Sequence, residues 1–428
     1  MFKVFSGIWA LLVGIVLIML GNGMQFTLIG LRGGLEGFSA ASLAIVTSGY
    51  FVGFLSGARY TPVLIRNVGH VRVFAALGSF MSAALITLPL IVEPWAWTLL
   101  RVLIGFCMSG IYVTAESWLN DASTNETRGK VLSAYMIAQT LGIIGAQGLL
   151  TLDDAQTSVL FIGASILVSI SFAPVLLTVG QAPRTEVTRP MALRELYRQS
   201  PLGTIGIFFL GSAYATQSGM GAVFGTLIGM TADQISLLVA MLFAGALAFQ
   251  YPIGWISDRI DRRKLIFAAS LVGAVACICG FLAGGGLWAL MAAAFVAGGM
   301  TTPLYALFLA YTNDFLSPED MPAASGGLVF TFGLGAIAGP LVTGWAMQWG
   351  GPFFFWLVLG TTFALIALYA LYRMTQRPGI PASQTDSYLG VTPTATPVAV
   401  EAASAWAVDQ AETDRTEQDR TPCLNRNA

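Results

Sequence analysis

Charge, cysteine and histidine are all scarce in this chain, and each scarcity removes a class of function. Only 10% of the 428 residues are charged, against roughly a quarter in a soluble globular chain. A water-facing surface cannot be built from so few charges, so lipid is the expected outer solvent. The net charge of −1 leaves no basic footprint for nucleic acid. Of four cysteines, Cys107, Cys277 and Cys279 sit inside apolar runs and Cys423 lies near the C-terminus, with no spacing that suggests a disulfide framework or a zinc site. The single histidine, His70, falls in a predicted loop and is expected to be solvated. A Ser/His/Asp triad or a histidine-ligated metal is therefore poorly supported, and no cofactor is expected. No G-x-x-x-x-G-K-[ST] motif is present, which disfavours direct ATP hydrolysis. The first apolar run, 8–29, is longer than the core of about 7–15 residues in a cleavable signal, so none is expected.

What is abundant is apolar sequence: 56% of residues are hydrophobic and the mean hydropathy is +0.74. A helix needs about 20 apolar residues to cross the hydrocarbon core. Runs of that length fall at 8–29, 42–64, 72–92, 96–118, 130–151, 157–179, 202–224, 234–257, 265–285, 287–312, 323–347 and 352–373. The expected fold is all-α integral membrane, with twelve transmembrane helices. The 48 glycines recur every three or four positions, a spacing that lets helices approach closely in lipid. With the N-terminus inside, almost every base falls in a cytoplasmic loop, as in Arg66, Arg72, Arg128, Lys130, Arg194, Arg198, Arg259 and Lys264, and only Arg32 falls outside. Nine of the ten tryptophans lie near predicted helix ends, as an interfacial belt requires. Both termini are expected in the cytoplasm of a bacterial cell, with the chain in the inner membrane.

The organisation reads as two halves, a linker and a tail. Residues 180–201, with Pro183, Pro190, Pro201 and four arginines, form a predicted cytoplasmic linker carrying one short amphipathic helix at 191–199. It separates a six-helix bundle over 1–179 from another over 202–373. Tyr112, Asn120, Asp121, Gly105 and Arg66 recur 193 positions later as Tyr305, Asn313, Asp314, Gly298 and Arg259, so the halves read as copies. Such duplication places a binding site at the repeat interface. Residues 374–428, with seven acids and four arginines, are expected to be a disordered cytoplasmic tail.

The strongest motif follows the eighth span: Gly254-Trp-Ile-Ser-Asp258-Arg259-Ile-Asp261-Arg262-Arg263. It resembles the G-x-x-x-D-R-x-G-R-R loop signature of the major facilitator superfamily, with Asp261 in place of the second glycine. The resemblance implies a charge network, Gly254, Asp258, Arg259, Arg262 and Arg263, that latches the halves in one state; the plainer alternative is that these bases only set topology. The first-half copy is degenerate, with Pro62, Arg66 and Asn67 at the motif positions and only Gly69 kept. Arg101-Val-Leu-Ile-Gly105 resembles that family's R-x-x-Q-G element, with Ile104 replacing glutamine. The resemblance covers about residues 5–373 and implies the major facilitator fold, two pseudo-symmetric six-helix bundles. Tyr50-Phe51-x-Gly53, Glu116-Ser117 and Arg128-Gly129-Lys130 point further to its YcaD-like branch.

Arg101, Gly105, Met108, Tyr112 and Glu116 fall within about 80° of one another on the fourth span. A buried arginine in a membrane faces a bundle interior or a water cavity, so Arg101 is a candidate for the substrate path or a structural anchor. Glu116 is read either as a protonatable coupling residue or as a salt-bridge partner for Arg59. In this family the first, fourth, seventh and tenth spans line the cavity. That adds Asn22, Gln25, Tyr214, Gln217, Thr301 and Tyr305 to the path, with Gln139 and Gln250 from flanking spans. Gly335, Gly339, Pro340 and Gly344 resemble a glycine-proline antiporter element, yet close packing with a proline kink accounts for them. The expected function is secondary active transport of a small amphiphilic or weakly anionic organic solute, carried out by a monomer and coupled to protons. The alternatives are a membrane sensor or scaffold on a transporter fold, and an intramembrane enzyme, for which the chain offers few catalytic groups.

Overall fold

The computed structural model describes residues 2–177, 190–317, 319–376, 378–381, 385, 388 and 390–424, and among them every regular element is helical. The linker arginines Arg184 and Arg189 and the C-terminal residues past 424 lie outside the described residues. The first six long helices are α1 (Phe2–Leu35), α2 (Ala40–Val68), α3 (His70–Thr87), α4 (Pro94–Asp121), α5 (Asn125–Leu149) and α6 (Val159–Leu177). A short α7 (Leu193–Gln199) occupies the linker where an amphipathic helix was expected. The seventh span is broken into α8 (Pro201–Ala215), a π-helical turn (Thr216–Met220) and α9 (Gly221–Leu227). Then come α10 (Ala232–Ser257), α11 (Arg262–Leu282), α12 (Leu287–Asn313), α13 (Met321–Gly350), α14 (Phe354–Gln376) and α15 (Pro397–Leu424). Ten of these are long and apolar enough to cross a membrane. The shorter α6 and the composite α8–α9 take the sixth and seventh places in the expected order of twelve.

Local chemistry sets the boundaries. The Ser39 hydroxyl accepts from the Ser42 N–H to open α2, and Thr231 and Gln234 form a capping box at α10. Pro94 and Pro201 stand in the first turns of α4 and α8, where a missing N–H costs nothing. Gly69, at φ 87°, turns the chain directly from α2 into α3, a conformation that L side chains avoid.

Packing repeats between the halves, at an offset of 193 residues for Gly105 and Gly298 and of 192 for Gly53 and Gly245. A methyl group on Gly105 of α4 would collide with the Tyr50 carbonyl of α2, and one on Gly298 of α12 with the Leu242 carbonyl of α10. Gly53 and Gly245 make the reciprocal approaches, to the Val102 and Phe295 carbonyls. Gly335 and Gly339 of α13 meet the Phe208 and Ser212 carbonyls of α8, so the glycine-proline element does pack helices closely. Gly344 instead lies against Ala40 and Ala44 of α2, across the boundary between halves.

The two ends of the bundle differ. At the end remote from the loop arginines the halves are pressed together. Gly30 lies against Ala222 and Val223, Gly34 against Thr226, and the Ser48 hydroxyl donates to the Ile337 carbonyl at 2.9 Å. At the arginine-bearing end, Tyr388 and residues 390–407 lie between the halves, bonded to Gln139 and Glu116 of the first and Gln250 and Asn313 of the second. This corrects the expectation of a disordered tail: α15 is helical, and Ala399, Val400, Ala402, Ala403 and Ala407 are buried. Small side chains at helical spacing give little hydropathy signal but fit a groove between helices.

Two further expectations are corrected. His70 is 3% exposed, the first residue of α3, with its ring 6.3 Å from that of Trp118. Trp97 and Trp356 are fully buried rather than in the belt, Trp97 donating to the Leu88 carbonyl at 2.9 Å. Trp9, Trp95, Trp255, Trp288, Trp345 and Trp349 keep exposed positions near helix ends, as expected.

Candidate functional site

Between the closed end and the tail lies a narrow void of about 20 Å³ with walls from both halves. From the first half come Asn22, Phe26 and Thr27 of α1, Tyr50 and Phe51 of α2, Tyr112 of α4 and Ile143 and Gln147 of α5. From the second come Tyr214 of α8, Ser218 of the π turn, and Val239 and Phe243 of α10, while Thr394 of the tail closes the remaining side. A smaller adjoining void of about 10 Å³ shares Tyr214, Ser218 and Phe243 and adds Gln217, Gly298 and Thr302. Mainly apolar walls with a few fixed polar groups are the usual form of a small-molecule site, and with the tail in place the free space left is about that of a water molecule.

The π turn explains how α8 and α9 present polar groups here. One extra residue per turn re-aims the side chains that follow, a device common at functional sites. The Gln217 amide donates to the Thr301 hydroxyl at 2.8 Å, the Ser218 hydroxyl returns to the Tyr214 carbonyl at 2.8 Å, and the Thr216 and Thr343 hydroxyls meet at 3.1 Å. Opposite, Asn22 accepts from Gln25 at 3.1 Å, and the Thr27 hydroxyl donates to Gln147 at 2.9 Å.

Arg101 stands behind this wall rather than in it. It is 1% exposed, donates to Gln25, and lies 4.3 Å and 4.6 Å from the ring centroids of Phe26 and Tyr50. The two aromatic rings that face the void therefore carry a cation on their far side. Among the described residues no carboxylate is in ion-pair contact with Arg101, and its Nε has no partner. Tyr112 lines the void and donates to the Met19 sulfur at 3.2 Å. Tyr305 is buried against Phe332 (5.3 Å between rings) with its hydroxyl unpartnered among the described residues, and it does not line the void.

Glu116 lies nearer the arginine-bearing end. It accepts from the Tyr135 hydroxyl at 3.2 Å and from both the N–H (3.0 Å) and the hydroxyl of Thr396, so its partners are not Arg59. Gln139 accepts from Thr392 at 3.2 Å, and Gln250 donates to the Tyr388 hydroxyl at 2.9 Å. The motif after α10 forms a network within the second half. Arg262 binds Asp314 at 2.5 Å, approaches Asp258 at 4.0 Å and donates to the Ala310 carbonyl at 3.2 Å, tying α10, α11 and α12 together. Asp261 caps α11 and pairs with Arg263 at 2.6 Å. Burial alone would raise its pKa, but the hydrogen bonds and charge of Arg263 outweigh that and hold the carboxyl below its ordinary value. Arg259 stacks 4.0 Å from the Trp255 ring. Gly254 lies against the ring of Tyr388, and the Tyr388 N–H donates to Asp258 at 2.9 Å.

Sequence reasoning missed Phe26, Thr27, Tyr50 and Gln147 in the wall, and every tail residue. Gln147 and Gln139 stand eight positions apart on α5, a same-face spacing that would have found Gln147.

A helical bundle of this length, with polar groups from two repeated halves around one central void, defines a polytopic membrane transporter. Family models agree: one described as Major Facilitator Superfamily matches residues 203–407, and one described as Sugar (and other) transporter matches 7–185. The two matches fall one on each half, and the chain resembles the major facilitator superfamily. It is 26% identical over 344 residues to the uncharacterised MFS-type transporter YfkF of Bacillus subtilis, covering 76% of this chain and 85% of that one. It is 25% identical over 376 residues to the MFS-type transporter YcaD of Escherichia fergusonii, covering 86% and 96%. Its fold is similar to that of the nucleoside transporter NupG (D323A mutant), with TM-score 0.72, 15% identity and coverage of 85% and 98%. A bacterial homolog to the human lysosomal transporter Spinster gives TM-score 0.66 at 13% identity, with coverage of 95% and 98%.

Proposed function

We propose that this protein is a secondary transporter that moves a small organic solute across the bacterial cytoplasmic membrane by alternating access. The solute occupies the void between the halves, and both termini and the arginine-rich loops face the cytoplasm. One observation carries the reading: Asn22, Thr27, Tyr50 and Tyr112 of one half face Tyr214 and Ser218 of the other around a single void. A solute held there touches both halves, so rocking one half against the other changes its exposure from one side to the other. The walls are aromatic and hydrogen-bonding, with the Arg101 charge behind Phe26 and Tyr50. That combination favours an amphiphilic or weakly anionic solute over a polyvalent cation. Glu116 is the proposed proton-coupling group, a buried carboxylate on the helix that also supplies Tyr112.

The test is thermal stabilisation of the purified protein across a library of small organic solutes, wild type beside Asn22→Ala and Tyr214→Phe. A solute that raises Tm in the wild type and fails in both variants supports the site. Stabilisation that is unchanged in both places the solute elsewhere and refutes it.

A further inference from the structure

We propose that Tyr388 and residues 390–407 are a tethered plug, bound in the arginine-end mouth of the cavity in competition with solute, which must leave before the transporter can cycle. The inference rests on the transport reading above. The segment is built for a tight reversal. Thr392-Pro393-Thr394-Ala395 closes a turn through the Ala395 N–H and the Thr392 carbonyl at 3.0 Å, with proline at its second position. Pro397 then opens α15 in the first turn, where proline is favoured. Thr394, at the apex, lines the solute void beside Tyr112 and Tyr214, one from each half.

The descending arm is held by groups of the transport path itself. Glu116 accepts from the N–H and hydroxyl of Thr396, so a carboxylate on α4 caps the N-terminus of α15, where the helix dipole favours negative charge. Thr392 takes up Gln139 of the first half, and Tyr388 takes up Gln250 of the second. Further out, Asn313 donates to the Ser404 hydroxyl at 2.7 Å, and the Trp406 indole covers Gly129, where a methyl group would come within 2.6 Å of the ring.

Two consequences follow from these contacts. The apex fills the side of the void through which solute would reach the arginine-bearing end. The segment also stands between halves that must approach each other for that end to close. A bound plug therefore favours the state open at this end, and any change that weakens its hold shifts the population away from it. Glu116, the carboxylate proposed for proton coupling, is thus also the one that holds the plug.

The test needs no solute. Gln139→Cys is labelled with a membrane-impermeant maleimide in inside-out vesicles, in the full chain and in a chain ended after Gln376, with wild-type labelling as the blank. The plug predicts labelling at least tenfold faster in the shortened chain, and an intermediate rise for Glu116→Ala in the full chain. Equal rates in full and shortened chains overturn it. Should the shortened chain fail to fold, Asn313→Cys with Ser404→Cys in the full chain decides. Oxidation is expected to join the two thiols, and failure to form that bridge overturns the proposal. If the transport reading alone is wrong, labelling and crosslinking follow these expectations while no solute is bound by any form of the chain.

Discussion

Replacing Gly105 by alanine tests the packing that holds each half together. A methyl group there would sit 2.8 Å from the Tyr50 carbonyl carbon and 3.0 Å from the Phe54 nitrogen. Comfortable carbon contacts lie at about 3.5–4.0 Å, so α2 and α4 must part by roughly 1 Å or bend. The obstacle is backbone on a neighbouring helix, which no rotamer change relieves. Overpacking of this kind costs about 1–3 kcal/mol. Gly298→Ala should match it, because it meets the Leu242 carbonyl carbon at 2.6 Å in the equivalent place. Gly163 in α6 supplies the control, since nothing lies within 4 Å of where a methyl group on it would stand. Alanine there gains helix propensity of up to about 1 kcal/mol. Thermal melts of purified protein should show Tm lowered by several degrees for Gly105→Ala and Gly298→Ala, and unchanged or raised for Gly163→Ala. Equal effects at Gly105 and Gly163 would refute the close-packing argument.

Two further outcomes concern the arginine-bearing end. Arg262→Ala removes the 2.5 Å partner of Asp314, whose side chain is 3% exposed. Breaking a buried pair costs about 3–5 kcal/mol, so a large fall in Tm is expected, partly recovered by Arg262→Lys; a silent Arg262→Ala would contradict the network. Asp261 is held below its ordinary value by Arg263 against the opposing effect of burial. A depressed carboxylate contributes stability above its unfolded value of about 3.9 and loses it as pH falls through the folded one. Asp261→Asn should therefore melt below wild type near neutral pH, with the gap closing in acid; a gap that widens in acid would reverse the sign.

The helices were legible because a bilayer demands long apolar runs, and because Pro94, Pro201 and Gly69 punctuate them where turns occur. The pairing of Gly105 with Gly298 was legible as a repeat offset before any contact was known. The central site was only half legible. Asn22, Tyr112, Tyr214 and Gln217 stand out as polar residues in apolar spans, whereas Phe26 and Tyr50 look like ordinary membrane aromatics. Their role depends on Arg101 lying behind them, a relation between three helices that no single periodicity encodes. The break at Thr216–Met220 left only a cluster of glycine and serine as its trace. The tail was misread because its buried stripe is alanine and valine followed by charges, too weakly hydropathic to mark a packed helix. The threonine-proline pair at Thr396-Pro397, a helix-start signal, was the clue.

Uptake into proteoliposomes tests the account most directly. A solute that stabilises the purified protein is supplied outside vesicles bearing the wild type or Tyr214→Phe, with and without an imposed pH gradient. The account predicts saturable uptake by the wild type, driven further by the pH gradient and reduced at least tenfold in Tyr214→Phe. Binding without any flux, under either condition, would contradict a transporter and return the cavity to some other use.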